Sequence, residues 1–130
     1  MIISKQIPPI YNKIKKVFKV NWNQGIAIAY GDTVYSKYDL PEDLKIHEQV
    51  HLDSQELYGV EEWWKMYLNN IAFRLRQEID AHKAQVQYLK FKEVDIKYRN
   101  WKLEQIPKDL SGPMYGNILT LQEAKDILEL

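Results

Sequence analysis

Apolar residues recur at helical spacing along most of this chain, and in one short stretch they crowd together as strands do. Ile10, Ile14, Val17 and Phe18 share one side of a helix predicted over residues 10–20, just after Pro8-Pro9. Gly25 to Tyr30 is apolar and β-permissive, Gly31-Asp32 is a turn signal, and Thr33-Val34-Tyr35-Ser36 resumes as strand, so residues 24–36 read as a hairpin or a bulged strand pair. A helix follows over about residues 42–58. Asp39 to Leu44 suit its start, with an N-cap candidate, a proline in the first turn and acids near the positive dipole end, and Gly59 suits its stop. Leu44, Val50, Leu57 and Tyr58 are the apolar positions expected to pack this helix. A helix from near Val60 carries Trp63, Trp64, Tyr67 and Leu68 and breaks at Asn69-Asn70; a longer one runs over about 71–91. Residues 94–105 predict a further helix with Val94, Tyr98 and Trp101 on one side. Ser111 to Asn117 is loop by composition, and Thr120-Leu121-Gln122-Glu123 is a capping box opening a last helix. The sum is a compact α+β chain, mostly helical, with one small hairpin or sheet.

Composition narrows the class. The chain of 130 residues suits a single domain, 1–130, and its 45% apolar content with 12% aromatics is that of a folded protein. A formal net charge of zero points to no nucleic-acid partner. The charge is unevenly spread, since Lys5, Lys13, Lys15, Lys16 and Lys19 all precede the first acid, Asp32. That basic start could touch an anionic partner, although a solvated helix face is the more ordinary reading. There is no cysteine, hence no disulfide and no thiolate ligand. No apolar run approaches membrane-spanning length, and the first residues do not open a signal peptide, so a cytoplasmic location off the membrane is expected.

The chemistry is concentrated in His47-Glu48-Gln49-Val50-His51, an H-E-x-x-H motif that uses two of the three histidines. Helical residues four apart lie on one face, so His47 and His51 can grip one metal ion from the same side. Glu48 is rotated from His47 by about 100° on a helix with about 3.6 residues per turn, which sets its carboxylate beside the ion. Neutral imidazole suits Zn²⁺, and a neighbouring carboxylate can act as base toward a water that the ion activates. The expected cofactor is therefore one Zn²⁺ per chain.

A catalytic zinc site usually takes three protein ligands. The metzincin extension fails, because Leu57 stands where its third histidine would fall and Ser54 where its glycine would. The remaining candidates lie in Gln77-Glu78-Ile79-Asp80-Ala81-His82, where Glu78 and His82 share a face, Asp80 points elsewhere on a regular helix, and Arg74 lies one turn before Glu78, placed to orient its carboxylate.

At His47, Glu48, His51 and Glu78-Ile79-Asp80-Ala81-His82 the chain resembles the gluzincins, the thermolysin-like zinc metallopeptidases, whose third ligand is a glutamate on a second helix within E-x-x-A-[DH]. The resemblance implies a zincin-like fold, with the motif helix packed on a glutamate-bearing helix, and Glu78 as the ligand. It also places His82 where the commonest version has an aspartate that holds a ligand histidine. Trp63, Trp64, Arg74, Gln77, Glu78, Ala81, Gln85 and the Gly112 to Asn117 stretch are similar to small phage-encoded predicted metallopeptidases. That likeness spans about residues 25–120 and implies a peptide or protein substrate, a host-cytoplasmic or virion-associated setting, and as the alternative a non-catalytic metal-binding assembly protein.

Tyr115, in a glycine-flanked loop, is a candidate donor to the oxyanion formed when a carbonyl is attacked, and His82 competes for that role. Gln55, one turn past His51, either bonds the site or is solvated. Residues 25–36 supply a strand edge that either pairs with an extended peptide or is ordinary core. Trp63, Trp64, Tyr67 and Phe73 are expected in the core.

Overall fold

A computed structural model describes all residues, Met1 to Leu130. Its elements run β1 (Ile2–Ser4), α1 (Tyr11–Phe18), a 3₁₀ turn (Trp22–Gln24), β2 (Ala27–Tyr30), β3 (Thr33–Ser36), α2 (Glu42–Tyr58), α3 (Val60–Asn69), α4 (Ile71–Phe91), α5 (Ile96–Leu110), a second 3₁₀ turn (Pro113–Tyr115) and α6 (Leu121–Leu128). The protein is α+β, with six helices and one three-stranded sheet. No helix is long and apolar enough to cross a membrane.

The hairpin forms as its sequence predicts. Tyr30 pairs with Thr33 across a two-residue turn, and Gly31 takes φ +71°, the positive value that the first position of a primed hairpin turn accepts from glycine. β1 adds in parallel on the far side of β3, pairing Ile3 with Val34, so the sheet order is β1-β3-β2 and β2 is an edge. β1 has no sequence signal of its own: both isoleucines stay exposed, and its partner lies about thirty residues away.

α2, α3 and α4 fall within the predicted limits. α2 and α3 are divided by Gly59 at φ +86°, a conformation that side chains resist. α3 ends at Asn70, whose side chain caps α4 by accepting from the Phe73 N–H at 3.0 Å. The expected apolar face of α2 is a correction. Leu57 is 86% exposed and Tyr58 is exposed too, while the buried residues are Asp43, His47, Glu48, His51, Leu52 and Gln55. α2 thus buries its polar face, and no side chain caps its start, where Pro41 occupies the N-cap position. Val17 of α1 is exposed rather than inward. α5 is also displaced from its expected face and end. Val94 and Trp101 are exposed, and the helix continues through Pro107 to Leu110 so that Ile106 and Leu110 can be buried.

Two large apolar clusters hold these pieces, and a third, smaller one sets Leu52 of α2 against Ala29 and Val34 of the sheet. One of the large clusters joins α4, α5 and α6 through Leu75, Val86, Leu89, Ile106, Leu110, Ala124 and Leu128, with Tyr115. The other gathers Ile14, Trp22, Ile28, Trp63, Trp64 and Tyr67 between α1, β2 and α3. Trp63 stacks on Tyr67 with ring centroids 4.8 Å apart, as expected of core aromatics. Between the clusters α2 lies along α4, and there the contact is polar.

Candidate metal centre

His47 and His51, one turn apart on α2, bring their Nε2 atoms to 3.2 Å from each other. Glu78 reaches across from α4, with Oε2 3.1 Å from His47 Nε2 and Oε1 3.0 Å from His51 Nε2. All three side chains are buried. A tetrahedron built on bonds of about 2.0–2.1 Å has edges of about 3.3 Å, so the two ring nitrogens and the Glu78 carboxylate oxygens that face them are spaced as ligands of one small cation.

Proton placement points the same way. The Gln85 amide donates through Nε2 to Asp43 Oδ2 at 2.7 Å, which turns its Oε1 toward His47 Nδ1 at 2.9 Å. An amide oxygen only accepts, so the His47 proton belongs on Nδ1 and its Nε2 presents a lone pair. That lone pair faces a carboxylate oxygen. Acceptors crowded against acceptors call for a cation or an extra proton between them, and the set of two imidazoles and a carboxylate suits a zinc-like ion. Tyr67 Oη donates to Glu78 Oε1 at 2.7 Å and fixes the carboxylate. His51 lacks an outer partner: its Nδ1 is buried with no hydrogen bond, beside Trp63 at 5.4 Å between ring centroids.

His82 enters the same cluster. Its ring centroid lies 4.5 Å from that of His47 and its Nε2 lies 3.8 Å from Glu78 Oε2. His47, Glu78 and His82 by themselves could hold a metal ion. In the His47, His51, Glu78 trio each pair of residues approaches to 3.2 Å or less, His47 meeting Glu78 Oε2 and His51 meeting Oε1.

The electrostatics follow from burial. Burial pushes Glu48 up to about 8, with His47 opposing and Glu78 adding to the shift. Glu78 lies well below the usual carboxylate range, because His51 and His47 outweigh a burial effect that would raise it. Burial and then His47 push His82 down to about 3, so its imidazole is neutral. A dication among these groups would favour ionised Glu48 and reverse its shift.

The cluster opens into a cleft of about 590 Å³. His47, Glu48, Glu78 and His82 form its polar end, and Ile14, Phe18, Ile26, Ile28, Ile106 and Met114 supply much of its apolar wall. The Glu48 side chain makes no hydrogen bond within the protein. Tyr115 also lines the cleft, and burial holds its phenol well above the ordinary value.

Two expected site residues are elsewhere. Asp80 is exposed on the outer face of α4, as helix geometry requires two residues from Glu78. Arg74 does not orient Glu78. Its guanidinium donates to the carbonyls of Tyr67, Leu68 and Met114 at 2.8, 3.0 and 2.9 Å, tying the end of α3 to the turn that carries Tyr115. Gln55 likewise serves the sheet rather than the metal centre, accepting from the Gly31 N–H and donating to the Ala29 carbonyl, both at 2.8 Å. That carbonyl also accepts from Trp64 Nε1 at 3.1 Å, so the β2 edge is closed at Ala29, and the segment that lines the cleft runs from Gly25 to Ile28. Tyr67, Gln85, Asp43 and Tyr98 support the site in roles that sequence reasoning missed. Asp43 and Gln85 carried a signal of register, lying four before His47 and seven after Glu78, and Gln85 also stood among the residues of the phage-metallopeptidase resemblance.

No protein-family model, no curated protein and no solved structure matches the chain.

Proposed function

We propose that this protein is a zinc-dependent metallopeptidase of the gluzincin kind, with His47, His51 and Glu78 as the ligands of one Zn²⁺ and Glu48 as the catalytic base. The carrying observation is the convergence of three buried donors from two helices within 3.2 Å, beside a buried glutamate that has no protein partner and lines an open cleft. Zinc, when bound, would supply Lewis acidity, lowering the pKa of a water toward about 7 and polarising a carbonyl. Glu48 would take the proton from the attacking water on a carboxylate oxygen and deliver it to the departing amine nitrogen. The apolar wall would hold substrate side chains and exclude bulk water. Tyr115 stands in the cleft as the candidate donor to the oxyanion.

One observation favours a second reading, a non-catalytic metal-binding protein. If His82 closed the fourth position, the site would have the coordination of a structural zinc. Zn²⁺ titration followed by digestion of a proteome-derived peptide library separates the two. Glu48→Gln should retain zinc while cleavage falls at least about a hundredfold, the usual scale for loss of a general base. Cleavage by Glu48→Gln at the parental rate would sink the hydrolytic mechanism, and a zinc-loaded protein that cuts nothing would favour the second reading. Glu78→Gln should weaken zinc binding much more than Asp80→Asn.

A further inference from the structure

Gln85 touches both His47 and His82 through one oxygen, at 2.9 Å from His47 Nδ1 and 3.1 Å from His82 Nδ1. Its amide nitrogen is taken by Asp43 Oδ2 at 2.7 Å, and Asp43 Oδ1 in turn accepts from Tyr98 Oη at 2.8 Å. Gln85 and Asp43 are completely buried. A flipped amide would set its oxygen against the Asp43 carboxylate and its NH₂ against the two rings, losing a short buried hydrogen bond. Asp43 therefore decides which way Gln85 faces, and Gln85 decides where two imidazoles keep their protons.

We propose that Gln85, oriented by Asp43, is a positioning residue that holds the Nδ1 protons of His47 and His82 together, so that both rings turn bare Nε2 atoms toward Glu78. The network reaches α5, where the chain of bonds begins at Tyr98. One amide thus sets two rings on different helices, which a carboxylate paired with a single histidine does not do. The imidazole orientation stands without any metal. Its consequence for affinity rests on the metal-centre reading above, since partners of ligand histidines typically contribute about ten- to a hundredfold to metal affinity.

The test begins with metal-free protein. Long-range ¹H–¹⁵N correlation spectra of the full chain at neutral pH should show His47 and His82 each protonated at Nδ1. A spectrum with either Nδ1 unprotonated overturns the proposal whatever the protein does with zinc. Gln85→Met keeps the length and removes the acceptor; it should redistribute the ring protons and weaken binding of Zn²⁺ alone by about ten- to a hundredfold. Gln85→Glu restores an acceptor and, paired with Asp43→Asn so that an amide donor replaces the lost Gln85 Nε2–H, should recover the Nδ1–H pattern that Gln85→Met loses. Unchanged ring protonation in Gln85→Met refutes the role. If Gln85→Met does not fold, the parental spectrum and the Gln85→Glu, Asp43→Asn double variant still decide. Nδ1 protonation as expected with no zinc bound by the parent would uphold Gln85's role and sink the proposed function.

Discussion

The two long faces of α4 are packed by opposite rules. Toward α5 and α6 it presents Leu75, Val86 and Leu89 to an apolar cluster, where contact is non-directional and each side chain contributes through burial. Toward α2 it presents Glu78, His82 and Gln85, whose stability rests on every donor meeting an acceptor at the right angle. The apolar face can tolerate side chains of similar volume. The polar face cannot, because a buried group without its partner costs about 1–3 kcal/mol, and more when charged. The chain concentrates its chemistry on the face where packing alone would favour leucine, which is the pattern of a site built at some expense of stability.

The largest effect that would break this comparison concerns the proposed zinc. Metal analysis should find about one Zn²⁺ per chain, and His47→Ala combined with His51→Ala should remove it entirely. Finding no metal affinity in the parent would leave the polar face without its explanation. On the other face, Leu89→Ala should cost about 2–5 kcal/mol in denaturant unfolding while zinc stoichiometry stays unchanged. A Leu89→Ala variant of full stability, or one that loses zinc while folded, would show that the faces are not independent.

A subtler contrast is in pH. Burial raises Glu48 from 4.5 in the unfolded chain to about 8 in the folded one. Between those values the folded state keeps a proton that the unfolded state has released. This group's contribution is full below the unfolded value, falls as pH rises and levels off above about 8. One proton limits the slope to about 1.4 kcal/mol per pH unit. His82, pushed down from 6.5 to about 3, gives the opposite slope up to about 6.5. Metal-free protein should therefore lose stability between about 6.5 and 8, and Glu48→Gln should flatten that loss; a parental profile that rises between those two values would contradict the burial of Glu48. The smallest effect is expected on neither face: Leu57→Ser, on the exposed side of α2, should shift stability by no more than about 0.5 kcal/mol. A larger loss in thermal melts would restore Leu57 to the packing role its apolar character suggests.

Much of the architecture was legible in the order of residues. The limits of α2, α3 and α4, the hairpin turn at Gly31-Asp32 and the capping box at Thr120 all follow from local signals: a glycine at positive φ, a side chain that caps the backbone, a run of β-permissive residues. The motif and its spacing made His47, Glu48 and His51 visible as a unit, because one turn of helix suffices to align them. What lay beyond one element was not legible. β1 forms only because β3 is there to pair with it, and Leu57 is exposed because the neighbours of α2 cover its histidines instead. Arg74, read as the partner of Glu78, is drawn to the carbonyls at the end of α3, and Tyr67 from that helix takes the place beside the carboxylate.

Sequence alone determined which residues are chemically able to bind an ion and which helix turns carry them, since both are local properties of side chain and backbone. Only the tertiary structure decided that Glu78 lies within 3.1 Å of both histidines, that Asp80 faces solvent, and that Asp43 acts through Gln85 on two rings. Those outcomes depend on the angle and register at which α2 meets α4. That register is set by burial and by pairing of polar groups across the interface, and no single segment of the chain contains it.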